Sequence, residues 1–155
     1  FVTASLTNLE FGSDIKFTDA FTVGIRWNPS TYNGVIVGSN LTSGEFIKVN
    51  TSSSLIVKID GSATTLVLDA GETQFGDGNI VITRDSVGLV SLWKNGVLQA
   101  DTGTLTGEID FNCIGLRAGG AAGVNGYQGD ILEIQIFSTV ASLLSTNIST
   151  YLGNI

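Results

Sequence analysis

Alternation of apolar and polar residues runs through most of the chain. In Phe21–Trp27 (FTVGIRW), Phe21, Val23, Ile25 and Trp27 fall on one face, while Thr22, Gly24 and Arg26 fall on the other. That period of two belongs to an extended strand, and Pro29, which cannot donate to a ladder, closes it. The same reading predicts strands over Gly34–Asn40, Glu45–Asn50, Leu55–Asp60, Thr64–Asp69, Ile80–Arg84, Leu89–Lys94, Gly96–Ala100, Cys113–Arg117 and Gly129–Phe137. Asp60-Gly61 and Asn95-Gly96 are tight-turn pairs, the second a signal for a type I′ hairpin, in which both central residues need positive φ. The period changes only at the end. Val140, Leu143, Leu144, Ile148, Tyr151 and Leu152 recur at helical spacing, with Ser138 as N-cap and Gly153 as stop. This one short helix is expected to lie against the strands. Many strands at short spacing, without a repeat or a linker, predict an all-β, two-sheet antiparallel sandwich forming a single domain over residues 1–155.

Composition narrows the chemistry. The 155 residues include no His, no Met and one Cys. Without His there is no imidazole acid/base, no Ser-His-Asp triad and no His-ligated metal. A single Cys excludes an intrachain disulfide and cysteine zinc sites. Cys113 reads as a buried small residue at a strand start. Fourteen acidic residues against seven basic ones give a formal charge of −7. Lys16, Arg26, Lys48, Lys58, Arg84, Lys94 and Arg117 are scattered singly, so neither nucleic acid nor an anionic membrane is an expected partner. Mean hydropathy is +0.33, yet no apolar run reaches the roughly 20 residues that span a bilayer. The hydrophobicity must enter a core or an interface. The chain opens on Phe1 and lacks an initiator Met, so a processed product or an excised domain is expected.

Three segments carry a family resemblance. Phe21–Pro29 (FTVGIRWNP), the hairpin Ile82–Val97 (ITRDSVGLVSLWKNGV) and Tyr127–Phe137 (YQGDILEIQIF) resemble the concanavalin A-like jelly rolls, specifically the laminin G-like domains. Arg26 stands where many relatives have Trp, and Leu132 where Asp is common. The resemblance implies two antiparallel sheets, one of them curved. The C-terminal stretch from Ile131 onward is similar to jelly-roll domains in virion proteins of tailed, particularly marine, phages. It implies a virion-surface location with other virion proteins or copies of the chain itself as partners.

Some enzymes with this sandwich, the β-glucanases, place Glu-x-Asp-x-(x)-Glu on one strand, so that alternation aims the carboxylates into a cleft. Here Glu108-Ile109-Asp110-Phe111 matches the first half, but Asn112 or Cys113 stands where the acid/base belongs, and neither can protonate a glycosidic oxygen. Glu108 also follows a turn-like Thr104–Gly107. No catalytic residue is therefore assigned. Sugar recognition would need an aromatic platform with hydroxyl-binding polar groups. The candidates are Trp93 and Asn95 at the hairpin turn, Tyr32-Asn33 and Asn125…Tyr127 beside Asn-Gly turns, and Arg26 and Arg84 as outer-face cations. Both faces of the Trp93 strand are partly apolar, so its periodicity leaves core packing and a platform open. Trp27, on the Val23–Ile25 face, reads as core. Asp77 and Asn79 could supply one or two oxygens to calcium, short of a ligand set, so no cofactor is assigned. The sequence thus predicts a non-catalytic virion-surface decoration or adhesion protein that can bind glycan or a host surface. The alternatives are an excised carbohydrate-binding module of a secreted or surface protein, which would be extracellular, and a degenerate β-glucanase.

Overall fold

The computed structural model describes residues 9–72, 75–76, 78–115, 126–140 and 144–153. The strands are β1 (Leu9–Phe17), β2 (Phe21–Pro29), β3 (Gly34–Gly38), β4 (Phe46–Thr51), β5 (Ser54–Ile59), β6 (Ser62–Val67), β7 (Gly78–Arg84), β8 (Leu89–Lys94), β9 (Val97–Thr104), β10 (Ile109–Ile114) and β11 (Gly129–Phe137). One helix, α1 (Leu144–Gly153), follows. They form two antiparallel sheets, a six-stranded one in the order β1-β10-β3-β4-β5-β6 and a five-stranded one in the order β11-β2-β7-β8-β9. The predicted two-sheet sandwich with one C-terminal helix is the observed fold.

The core between the sheets is built from the expected alternation. Phe21, Val23, Ile25 and Trp27 of β2 meet Ile47, Val49, Leu55, Val57, Leu66, Ile109 and Phe111 of the facing sheet, all buried. Turn chemistry fixes the hairpins. Asp60 and Gly61 have φ of 46° and 82°, and Asn95 and Gly96 have 48° and 83°, the paired positive values that a type I′ turn requires.

The five-stranded sheet also buries an apolar patch on its outer face. Val81 points outward, away from the sandwich core, into a second cluster with Ile148 and Leu152 of α1, edged by Trp93 and Phe137. Gly24 sits on the same outer face of β2. A Cβ there would lie 2.4 Å from Ile148 Cγ2, so the missing side chain lets the helix come down onto the strand.

Three expectations are corrected, and one strand, β1, has no counterpart among them. β1 carries no clean alternation, and its pairing with β10 slips between Glu10 and Ile15, so period-two reading passed over it. β10 spans Ile109–Ile114, earlier than Cys113–Arg117, so Cys113 lies near its end. Cys113 is buried, as expected of it. The helix begins after Ser138, Thr139 and Val140, which are not helical, so Ser138 is not its N-cap. Arg84 does not stand on an outer face. It follows Ile80 and Ile82 inward and is 1% exposed. Alternation could not choose the face because Val81, covered by the helix, is as apolar as its neighbours.

Candidate functional site

The residues singled out in the sequence separate into three places. At one end of the sandwich the Arg84 guanidinium is sealed in. Its Nε donates to Asp19 O at 2.7 Å, Nη1 to Gly107 O at 2.8 Å and Nη2 to Phe17 O at 3.2 Å, with a further bond from Nη2 to Asp19 O. It also lies over the Phe21 ring, 5.2 Å from the centroid. Burial lowers its pKa from the ordinary arginine value. Arg84 is a structural tie between backbone segments, with no donor left facing solvent for a ligand.

At the other end, Tyr127 stacks on Trp27 at 5.8 Å between centroids and 15° between planes. Phe75 meets the indole edge-on at 5.6 Å. Tyr127 is half-buried, its hydroxyl donates to Asp130 O at 3.3 Å, and burial raises its pKa above the usual tyrosine value. Tyr32 packs against the same core, and Asn33 is exposed in the β2–β3 connection. These tyrosines close the end of the core more than they form an open platform. Asn125 and Asp77 lie outside the described residues.

The third place is a built cleft. Arg26 of β2, Gly78 and Asn79 of β7, Asn95 of the β8–β9 turn, and Ser149, Thr150, Leu152 and Gly153 of α1 line an open depression of about 430 Å³. The register explains the convergence. Arg26 is directly opposite Asn79, and both sit where β2 and β7 emerge beyond the C-terminal turn of α1. Asn95 N donates to Asn79 O at 3.0 Å, and Asn79 N donates to Asn95 Oδ1 at 3.0 Å, so the turn is pinned to β7 twice. Gly78 makes this possible. Its φ is 150°, and a Cβ would meet Asn95 Oδ1 at 2.6 Å.

Two polar atoms on residues that line this cleft are buried and unpaired. Asn79 is 6% exposed and Ser149 4%, yet neither Asn79 Oδ1 nor Ser149 Oγ has a hydrogen-bond partner. Buried acceptors of this kind normally find one, since an unmade bond costs on the order of 1–3 kcal/mol. Arg26 is half-buried and forms no ion pair among the described residues. Its cross-strand neighbour is Glu133, but that carboxylate accepts from Gln135 Nε2 at 2.6 Å instead. Trp93 is not part of the lining. It packs beneath the helix against the Val81, Ile148 and Leu152 cluster.

Of the cleft residues, Arg26, Asn79 and Asn95 were candidates on separate grounds, and Ser149, Thr150 and Gly153 were not. Gly24, an unexplained glycine on a strand's polar face, was the signal that another element docks there.

The glucanase-like carboxylates are elsewhere. Glu108 is exposed, just ahead of β10, and with Asp110 it pairs to Lys16 Nζ at 3.3 and 3.0 Å. Asn112 is buried, donating to Asp14 Oδ1 at 3.1 Å and accepting from Asn40 N at 2.7 Å. Among the described residues no group of three or more His, Cys, Asp or Glu could hold a metal ion. Among the described residues no helix is long and apolar enough to cross a membrane.

No family model matches the chain, and no curated protein matches it. Solved structures do. The native heptameric SAP-like pentraxin from Limulus polyphemus superposes with a TM-score of 0.69 at 16% identity, over 98% of this chain and 78% of that one. The chain has a pentraxin-like jelly-roll fold. The receptor-binding domain of botulinum neurotoxin mosaic serotype C/D gives 0.55 at 15% identity over 94% of this chain. The serotype D binding domain gives 0.54 at 16% over 93%. This chain spans 45% and 42% of those two domains. Identities this low show the fold alone.

Proposed function

We propose that this chain is a non-catalytic recognition module that binds a glycan in the cleft at the C-terminal end of α1. One observation carries the reading: Asn79 Oδ1 and Ser149 Oγ are buried and unpaired beside the uncommitted Arg26 in an open, mostly polar depression. Hydroxyl groups of a sugar would supply the missing donors. That receptor-binding toxin domains share the fold supports a recognition role. The Lys16-bound state of Glu108 and Asp110, with Asn112 where a general acid would stand, supports a module without glycosidase chemistry.

The setting we propose is the surface of a phage virion, in repeated copies, on the sequence likeness of the C-terminal strand and helix. An excised module of a longer extracellular protein would use the same cleft. A glycan array probed with the purified chain, followed by mapping of amide chemical shifts, tests the binding reading. Shifts clustered on Asn79, Asn95 and Ser149 are the expected result, and a blank array with no cleft shifts would overturn it. The virion setting predicts many copies of the chain on purified capsids, and their absence there would refute it. Release of reducing sugar from laminarin, abolished by Glu108→Gln, would overturn the non-catalytic reading.

A further inference from the structure

We infer that the sugar unit this cleft selects carries a carboxylate, as a uronate or a sialate does. The inference rests on the cleft being the recognition site, and it names the ligand class.

The unfilled groups in the cleft are of opposite kinds. Asn79 Oδ1 and Ser149 Oγ have no donor supplied to them. Hydroxyls satisfy such groups, and a neutral sugar has enough of them. Arg26 is different. A guanidinium presents its donors in a fixed planar fork that a carboxylate matches with two parallel bonds, and it has no acceptor to offer a hydroxyl. Among the described residues the cleft lining contains no Asp or Glu, although the chain carries 14 acidic residues to 7 basic. The acid nearest in register, Glu133, is turned to Gln135. Lys16 is engaged by Glu108 and Asp110, Lys94 by Glu72 at 2.5 Å, Lys58 by Ser43 O at 3.3 Å and Arg84 by three backbone carbonyls, while Lys48, which forms no ion pair among the described residues, stands on β4 of the other sheet. Arg26 also faces the C-terminal turn of α1, whose carbonyls carry partial negative charge, and α1 has no basic residue in that turn. Part of its charge therefore offsets the helix end. That is the competing role the experiment must separate from ligand binding.

The test uses matched probes. Galacturonate, glucuronate and N-acetylneuraminate are each titrated by calorimetry or chemical shift as the free acid and as the methyl ester, which keeps every hydroxyl and removes the charge. At least one acid is expected to bind tenfold or more tightly than its ester, to weaken as salt is raised, and to lose that preference in Arg26→Gln. Arg26→Lys keeps the charge without the fork and should recover only part of it. Thermal melts of both variants report the helix-end role separately. If Arg26→Gln lowers stability while the wild-type chain binds each acid and its ester equally, Arg26 serves the helix end and the inference is overturned. Equal binding with shifts still centred on the cleft would leave the recognition reading standing. Failure of the acids, their esters and neutral sugars alike to shift any cleft residue would overturn both.

Discussion

Arg84 shows how one side chain can be read wrongly for a physical reason. A guanidinium in a strand that alternates Ile, Val, Ile, Thr, Arg looks like the last polar residue on a solvated face. Inside the sandwich it instead gathers the Phe17, Asp19 and Gly107 carbonyls, which belong to the end of β1, the connection after it and the loop before β10. The bond to the Phe17 carbonyl is buried beside the cluster of the Phe17, Phe21 and Phe111 rings, and those to Asp19 and Gly107 are partly buried. Truncation to Met keeps the apolar stem but leaves those carbonyls short, so Arg84→Met should cost on the order of 3 kcal/mol. Arg84→Lys should cost nearly as much, because one ammonium cannot reach three carbonyls in a planar fork. Urea denaturation measures both. A midpoint unchanged in Arg84→Met would show that the carbonyls find other donors.

At the scale of elements, the helix is the part that makes the cleft. It supplies Ser149, Thr150, Leu152 and Gly153, and it is held on the sheet through Val81 and the bare backbone of Gly24. Gly24→Ala puts a methyl 2.4 Å from Ile148 Cγ2. The helix must then lift or the strand bend, at about 1–3 kcal/mol. The same variant should weaken glycan binding, since Ser149 moves with the helix. A Gly24→Ala protein with wild-type stability and affinity would show that α1 is not seated as described. The sequence discloses most of these elements: both hairpin turns follow from their Asn-Gly and Asp-Gly pairs, β8 and β11 are legible with their observed bounds, and β2 from its Phe21–Trp27 alternation, two residues short of its observed end at Pro29. It discloses less where two constraints coincide. β7 has apolar residues on both faces because one meets the facing sheet and the other the helix, so Arg84 was assigned to the wrong side. β1 is interrupted by a register shift at Gly12-Ser13-Asp14 and mostly exposed, which leaves no period to read. The cleft joins residues from β2, β7, a turn and α1, and no local pattern reports that Arg26 and Asn79 are cross-strand partners.

Across the whole molecule, the acidic charge is not spread evenly in its effect. Glu45, just ahead of β4, accepts from Asp110 N at 3.1 Å, tying the β3–β4 connection to β10. It is partly buried, and Asp110, Glu108 and Asp60 stand near it. Burial first, then those carboxylates, raise its pKa above the ordinary 4.5, against the opposing pull of the Asp110 amide. A carboxyl whose folded pKa is raised favours folding while it is protonated. That contribution is complete below the unfolded value near 4.5 and is lost as pH rises through the higher folded value. Glu45→Gln keeps an acceptor for Asp110 N and cannot ionise. Relative to wild type, the variant should therefore gain stability as pH is raised from about 4 to 7, with little difference at the acid end. Lys16 has the same sign in a different window: its pKa is raised by Asp110 and Glu108, so its contribution is complete below its ordinary 10.5, is lost as pH rises through the higher folded value, and stays constant from pH 4 to 7. Paired urea titrations of Glu45→Gln and wild type at several pH values decide the matter. A stability difference that stays flat from pH 4 to 7 would mean that Glu45 titrates as it does in the unfolded chain.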